Sequence, residues 1–187
     1  MNTPMNLRKH CAWLLTAAIF AFGAGPALAG GPKGDNLVDV AVAVNSEGPF
    51  AGEFDTLIAA VLAADPAVVA TLTGNGQHTV FAPTDTAFAL LGITADNLDD
   101  LLADGTLTVE GLTGILLYHV AHGRRDAEDV LASEKIRMLN GGFVQQAGGV
   151  LTDNQGGMSN IIVTDVPAAN GIIHAISSLL MPPAAEE

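Results

Sequence analysis

The chain has 187 residues, with 7 Lys and Arg against 20 Asp and Glu, and its formal net charge is −13. Because 49% of the residues are apolar and only 14% are charged, an intrinsically disordered chain is excluded. The acidic balance also excludes nucleic-acid binding through phosphates, which requires a dense basic surface. The length fits about one domain of ordinary size.

The first 29 residues predict a secretory signal peptide. Arg8 and Lys9 precede an almost wholly apolar run over residues 11–24, and residues 27–29 (Ala-Leu-Ala) offer small side chains for cleavage. The run is shorter than the roughly 20 residues of a membrane span, so we expect cleavage and no stable span afterwards. Cleavage would leave 158 residues with five cations against 20 acids and without the single Cys or Trp. We therefore expect an extracytoplasmic protein, secreted or periplasmic, without disulfides or thiolate metal sites.

Helices are predicted through the first two thirds of the mature chain. Capping residues mark several helix starts: Asp35 or Asn36 for the first, Thr84 or Asp85 for the fourth, and Thr94 for the fifth. Apolar periodicity and breaking residues place the helices over residues 38–44, 54–62, 66–72, 87–91, 94–104, 109–118 and 126–133.

Short β-rich runs separated by glycine turns follow the helices. Asn140-Gly141 predicts a two-residue hairpin, and Asn170-Gly171 predicts a tight turn with positive φ. His174 lies in an apolar strand and should have a hydrogen-bond partner. Extended segments are predicted over residues 78–82, 119–122, 136–139, 143–145, 150–152, 161–165 and 172–180. This order of elements predicts an α+β domain with helices on one side of a largely antiparallel sheet.

Two motifs resemble the signatures of the fasciclin domain family. Residues 79–88 (TVFAPTDTAF) are similar to the first signature, and residues 170–176 (NGIIHAI) are similar to the second. Between them, residues 117–120 (LYHV) resemble the tyrosine–histidine motif of that family. The resemblance covers a domain at residues 35–182, which leaves residues 30–34 as a flexible lead and residues 183–187 as a tail.

The resemblance implies a β-wedge of about seven strands with a helical cap. It also implies adhesion or protein association at the cell surface, in the matrix or in the envelope space, with no catalysis and no cofactor. The chain departs from the family in having one copy of the domain. It also carries Ala121-His122 where a proline often precedes the glycine at position 123.

The Tyr118-His119 pair is the first candidate binding site. The resemblance implies that this region takes part in adhesion, and an aromatic ring beside a titratable imidazole suits a contact surface. The alternative is structural: a buried tyrosine hydroxyl with a partner, and a histidine that joins the sheet to the helical cap. The sequence leaves both interpretations open.

Arg124 and Arg125 form the second candidate site. With Lys135 and Arg137 they balance four acidic residues, so the segment 124–137 is neutral while the rest of the mature chain is acidic. One interpretation is a contact surface for an acidic partner protein or for a second copy of the chain. The other is local ion pairing on a solvated surface, which contributes little stability.

Metal binding and catalysis are not expected. His119 and His122 lie three residues apart in an extended segment, so their side chains should point to opposite faces. No serine lies in a nucleophile elbow, and the glycine-rich stretches match neither dinucleotide nor phosphate loops. The remaining alternative to an adhesion module is a small-ligand or metal-binding accessory protein of the periplasm.

Overall fold

A computed structural model describes residues 34–183 of the chain. The expected signal peptide, most of the lead and most of the tail lie outside these residues. The described helices are α1 (Leu37–Ser46), α2 (Asp55–Ala63), α3 (Pro66–Thr73), α4 (Asp85–Ala89), α5 (Leu98–Ala103), α6 (Val109–Tyr118) and α7 (Ala127–Ala132). The described strands are β1 (His78–Pro83), β2 (Val120–His122), β3 (Lys135–Arg137), β4 (Phe143–Ala147), β5 (Val150–Thr152), β6 (Met158–Ala168) and β7 (Gly171–Ile176).

The seven described strands form one sheet in the order β2-β1-β7-β6-β5-β4-β3. β1 and β7 pair in parallel, and the other neighbouring strands pair antiparallel. A bridge between Ala121 and Met138 brings β2 beside β3, so the sheet nearly closes into a barrel. The predicted α+β class, with about seven strands and a helical cap, is confirmed.

Two hydrophobic clusters lie on the two faces of β1, because successive side chains of a strand point to opposite faces. The half-buried Val80 faces the helices, where Leu57, Phe88 and Leu112 are buried. Phe81 faces the other way, into the inner cluster of the curved sheet. That inner cluster consists of Phe81, Tyr118, Ala121, Val130, Ile136, Met138, Val144, Leu151, Ile176 and Leu180.

The N-termini of the helices show which capping predictions hold. Asn36 caps α1, with its side-chain oxygen 3.0 Å from the Val38 amide nitrogen, as one of the two predicted alternatives. Thr84 occupies the N-cap position of α4, as one of the two predicted alternatives, but its side chain makes no capping hydrogen bond. α5 begins at Leu98 and not near Thr94, because the residues between them form turns.

Asp85 caps a different helix from the one predicted. Its carboxylate accepts hydrogen bonds from the Thr56 amide at 2.8 Å and the Asp55 amide at 3.2 Å. These amides belong to the first turn of α2, whose own N-cap residue, Phe54, offers no side-chain acceptor. The first signature therefore joins two helices through one aspartate.

The turn before β7 differs from its prediction. Ala169 and Asn170 connect β6 to β7, but neither Asn170 nor Gly171 has a positive φ. Gly171 is required for another reason, since a Cβ at this position would overlap the carbonyl oxygen of His78 in β1. Close parallel pairing, and not backbone handedness, explains the glycine.

Among the described residues, no single helix is long and apolar enough to cross a membrane. α2 and α3 together meet the criteria of length and composition, but they are bent by 116° at the break between them.

Candidate binding site

Tyr118 lies at the end of α6 with its side chain in the inner cluster, and its exposed fraction is 0%. Its hydroxyl donates to the Phe143 carbonyl at 2.7 Å and accepts from the Asn154 amide at 3.2 Å. Burial raises the pKa of this hydroxyl. The ring thus joins α6 to the start of β4 and to the turn after β5.

His119 follows Tyr118 but faces different partners. Its exposed fraction is 2%, and its Nε2 accepts a hydrogen bond from the Leu180 amide at 3.0 Å. The proton is therefore on Nδ1, which donates to the Ile115 carbonyl at 2.8 Å. Burial lowers the pKa of His119 to about 4, because a charged imidazole would lose its hydration. The ring is neutral and joins α6 to the segment after β7.

Arg124 and Arg125 hold the loop between β2 and α7 against the sheet. Arg124 donates from Nη1 to the carbonyls of Ala168 and Gly171, both at 3.1 Å. Arg125 donates from its amide to the Thr79 hydroxyl at 2.9 Å. The Arg124 side chain thus bonds to backbone carbonyls of the sheet, and the Arg125 backbone bonds to a hydroxyl of β1.

The structure does not bring the four predicted residues together as one surface. Tyr118 and His119 are buried, whereas Arg124 is largely exposed and Arg125 is half-buried. Arg125 donates from Nη1 to the Ser133 hydroxyl at 3.3 Å, just before β3. The structural alternative for Tyr118 and His119 matches their geometry, and the two arginines contact neighbouring loops and strand ends.

His174 has the hydrogen-bond partners that were expected. Its Nδ1 accepts from the Asp165 amide at 3.3 Å, so Nε2 carries the proton and donates to the Arg125 carbonyl at 2.9 Å. Its ring stacks on Phe81, with 5.7 Å between centroids. Asp165 has a left-handed φ of 62°, and its carboxylate accepts from the Ala127 amide at the start of α7.

An exposed patch lies on the outer face of β3 and β4. It combines Lys135 and Arg137, which belong to the candidate contact segment 124–137, with Phe143 and Gln145, which were not expected from the sequence. Lys135 lies opposite Gln145, and Arg137 lies opposite Phe143, with all four side chains turned away from the inner cluster. The Lys135 ammonium lies 4.2 Å from the centroid of the Phe143 ring, and Phe143 is 37% exposed. We call these four residues the outer patch. Strand alternation within residues 135–137 and 143–145 was the available signal.

An apolar cavity between α1, α2 and the sheet bears on the small-ligand alternative. Leu37, Leu57, Val61 and Ile173 are among its lining residues. Its volume is about 50 Å³, whereas pockets for drug-sized ligands start at roughly 300 Å³. This cavity is therefore too small for a drug-sized ligand.

The predicted signatures agree with the comparisons to known proteins. The fasciclin domain model matches residues 52–182. Protein sll1483 of Synechocystis sp. is 37% identical over 132 residues, which cover 70% of this chain and 68% of that protein. The cell surface glycolipoprotein MPB83 of Mycobacterium bovis is 30% identical over 163 residues, which cover 86% of this chain and 66% of that protein. The chain thus spans about two thirds of the length of these relatives.

A solved structure is also similar to the chain. It is a FAS1 domain pair from the insect cell adhesion molecule Fasciclin I, with 22% identity and a TM-score of 0.49. The match covers 67% of this chain and 44% of the solved one. Because the family model covers well over half of the sequence, the chain belongs to the fasciclin domain family.

Proposed function

We propose that the chain is an extracytoplasmic binding module, secreted or periplasmic, that mediates adhesion or protein association and does not catalyse a reaction. Membership of the fasciclin domain family supports this proposal, as does similarity to a relative named as a cell surface glycolipoprotein. The observation that carries it is the outer patch, in which an exposed aromatic ring contacts Lys135 and lies opposite Arg137 in the strand register, on a chain with a large acidic excess.

The composition of the outer patch suits a protein partner. Aromatic residues and arginine are enriched at the centres of protein interfaces. Lys135 and Arg137 are both exposed, and residues 34–183 hold four Lys and Arg in all against 18 Asp and Glu. Opposite charge speeds association and excludes wrong partners, so the favoured partner is an acidic protein surface. A second copy of the chain is one such surface.

The candidate site residues predicted from the sequence support the outer patch through hydrogen bonds and do not form its surface. Tyr118 holds the carbonyl of Phe143, and Arg125 contacts Ser133 ahead of β3. His119 fixes the end of α6 on which Tyr118 lies. We assign Tyr118, His119 and Arg125 as positioning residues for the strands and the loop next to the patch, whereas Arg124 holds the turn between β6 and β7.

Crosslinked capture from intact cells tests this proposal, followed by affinity measurement with the purified partner that mass spectrometry identifies. Removing both charges of the patch with K135Q and R137Q, or its ring with F143A, should weaken binding at least about tenfold, equivalent to about 1.4 kcal/mol. Binding should also weaken as salt rises.

A double variant, A89E with A95E, is the matched control. It lowers the net charge by the same two units at exposed positions in and beyond α4, and it should bind like the unchanged chain. Equal loss in both double variants would show a general charge effect and contradict a role for the patch. Gel filtration at high concentration distinguishes self-association from a different partner.

A further inference from the structure

His78 and His122 face each other across β1 and β2. The two residues are direct partners in the antiparallel register. The Gly123 amide donates to the Gln77 carbonyl at 2.8 Å, and the Phe81 amide donates to the His119 carbonyl at 2.8 Å. His78 and His122 therefore form a non-hydrogen-bonded pair, the position at which opposite side chains approach most closely. Their ring centroids are 5.7 Å apart.

The environment leaves the His78 ring able to donate a lone pair. Its Nδ1 lies 3.1 Å from the Gly76 carbonyl, which can only accept, so Nδ1 carries the proton and Nε2 carries the lone pair. A Cβ on Gly76 would lie 2.6 Å from Cε1 of this ring, so the glycine leaves room for the imidazole.

The His122 side chain gives the pair access to solvent. His122 is exposed at the end of β2, whereas His78 is largely buried beside it. The other described histidines are engaged elsewhere, since His119 and His174 use both ring nitrogens within the fold. The pair across β1 and β2 thus differs from the His119–His122 pair considered from the sequence.

We propose that His78 and His122 bind a late first-row divalent cation, with water completing its coordination. Imidazole is a ligand for Zn²⁺, Cu²⁺ and Ni²⁺, and affinity follows the order that places Cu²⁺ highest. No group of three or more His, Cys, Asp or Glu side chains placed to hold a metal occurs within residues 34–183. The site therefore has two protein ligands and open positions. It is separate from the outer patch and independent of the proposed function.

Titration of the untagged mature chain, residues 30–187, with Cu²⁺ tests the site, with calorimetry for affinity and electron paramagnetic resonance for the ligands. We expect saturable 1:1 binding and a spectrum with two imidazole nitrogens. H122Q should weaken binding by at least about tenfold, because the second ligand raises affinity through effective concentration. The cation should also raise the melting temperature of the unchanged chain, and H122Q should abolish that shift.

E128Q is the control, since it removes a different exposed side chain that could bind the cation. It should leave the affinity and the spectrum unchanged. Affinity in H122Q equal to that of the unchanged chain, or a spectrum with one imidazole nitrogen or none, would overturn the proposal. The nitrogen count is read on the unchanged chain, so it does not depend on whether any variant folds.

Discussion

Tyr118 and His119 are neighbours in sequence, yet each is buried against a different part of the fold. The tyrosine hydroxyl contacts the Phe143 carbonyl, and the histidine Nε2 accepts from the Leu180 amide. Both rings satisfy backbone groups that would otherwise be buried without partners, a costly arrangement. At this scale the tyrosine–histidine motif explains how α6 is joined to the sheet and to the segment after it.

The buried His119 should make stability depend on pH. Its pKa is about 4 in the folded chain and 6.5 in the reference state, so the unfolded chain binds more protons between these values. The contribution of His119 to the free energy of unfolding is therefore fully present above about pH 6.5. It decreases as the pH falls towards 4, by about 3 kcal/mol. Urea unfolding from pH 7 to pH 4 measures the loss.

H119Q supplies the comparison for that measurement. The variant is less stable at pH 7, because the two hydrogen bonds of the ring are altered, but it lacks the titrating group. Its stability should therefore decrease less between pH 7 and pH 4 than that of the unchanged chain. Parallel curves for the two proteins would show that His119 does not titrate in this window.

Asn170 shows how one side chain can substitute for several caps. Its Oδ1 accepts from the Leu37 amide at 2.8 Å, and its Nδ2 donates to the carbonyls of Leu72 and Gly74 at 2.7 and 2.8 Å. The residue is fully buried. It thereby joins the start of α1 and the end of α3 to the turn before β7, which explains an asparagine in the second signature.

At the scale of elements, α6 was predicted with its observed bounds, whereas α5 was not. Thr108 caps α6, and apolar residues follow it at helical spacing over residues 109–118. The cap and the periodicity therefore indicate the same helix. In the segment predicted as helix from Thr94, the Asn97 side chain accepts from the Thr94 amide at 2.8 Å and donates to the Gly92 carbonyl. These side-chain bonds form turns in place of the first helical residues, because asparagine competes for backbone groups.

The cap that Asp85 provides for α2 gives a prediction at this scale. D85A should destabilise the chain by about 1–2 kcal/mol, the cost of removing a helix cap, because the Asp55 and Thr56 amides lose their acceptor. D99A removes an exposed carboxylate from the first turn of α5 and should cost less than about 0.5 kcal/mol. Urea unfolding at pH 7 compares them, and equal stability losses would contradict the cap.

At the scale of the whole molecule, acidic charge opposes the compact state. Residues 34–183 carry 18 Asp and Glu against four Lys and Arg, and such an excess lowers stability through self-repulsion. Screening by salt should therefore stabilise the fold. A gain of about 1 kcal/mol corresponds to a rise of about 2–8 °C in melting temperature for a domain of this size range.

Thermal melts in 10 mM and 150 mM NaCl at pH 7 test this expectation. Sucrose at matched osmolarity serves as the uncharged control for the 150 mM sample. A melting temperature that stays constant or falls between the two salt concentrations would show that self-repulsion is not a significant term. The same salt change should weaken binding through the outer patch, so stability and partner affinity should shift in opposite directions.

The sequence by itself determined the family, the α+β class and most of the elements, because these depend on local signals. Apolar periodicity marked the helices, and the motifs at residues 79–88 and 170–176 were sufficient for the resemblance. The contacts that the motif residues make with distant parts of the chain could not be predicted from local sequence patterns. The Asp85 carboxylate contacts an amide 29 residues away, and Asn170 contacts one 133 residues away.

Only the tertiary structure decided which polar residues face solvent and which pairs meet. Curvature of the sheet buries Tyr118 and leaves Phe143 exposed beside Lys135. The register of β1 and β2 brings His78 opposite His122, although 43 residues separate them. Strand register depends on the packing of the complete sheet, so side-chain pairs of this kind follow from the fold and not from spacing along the chain.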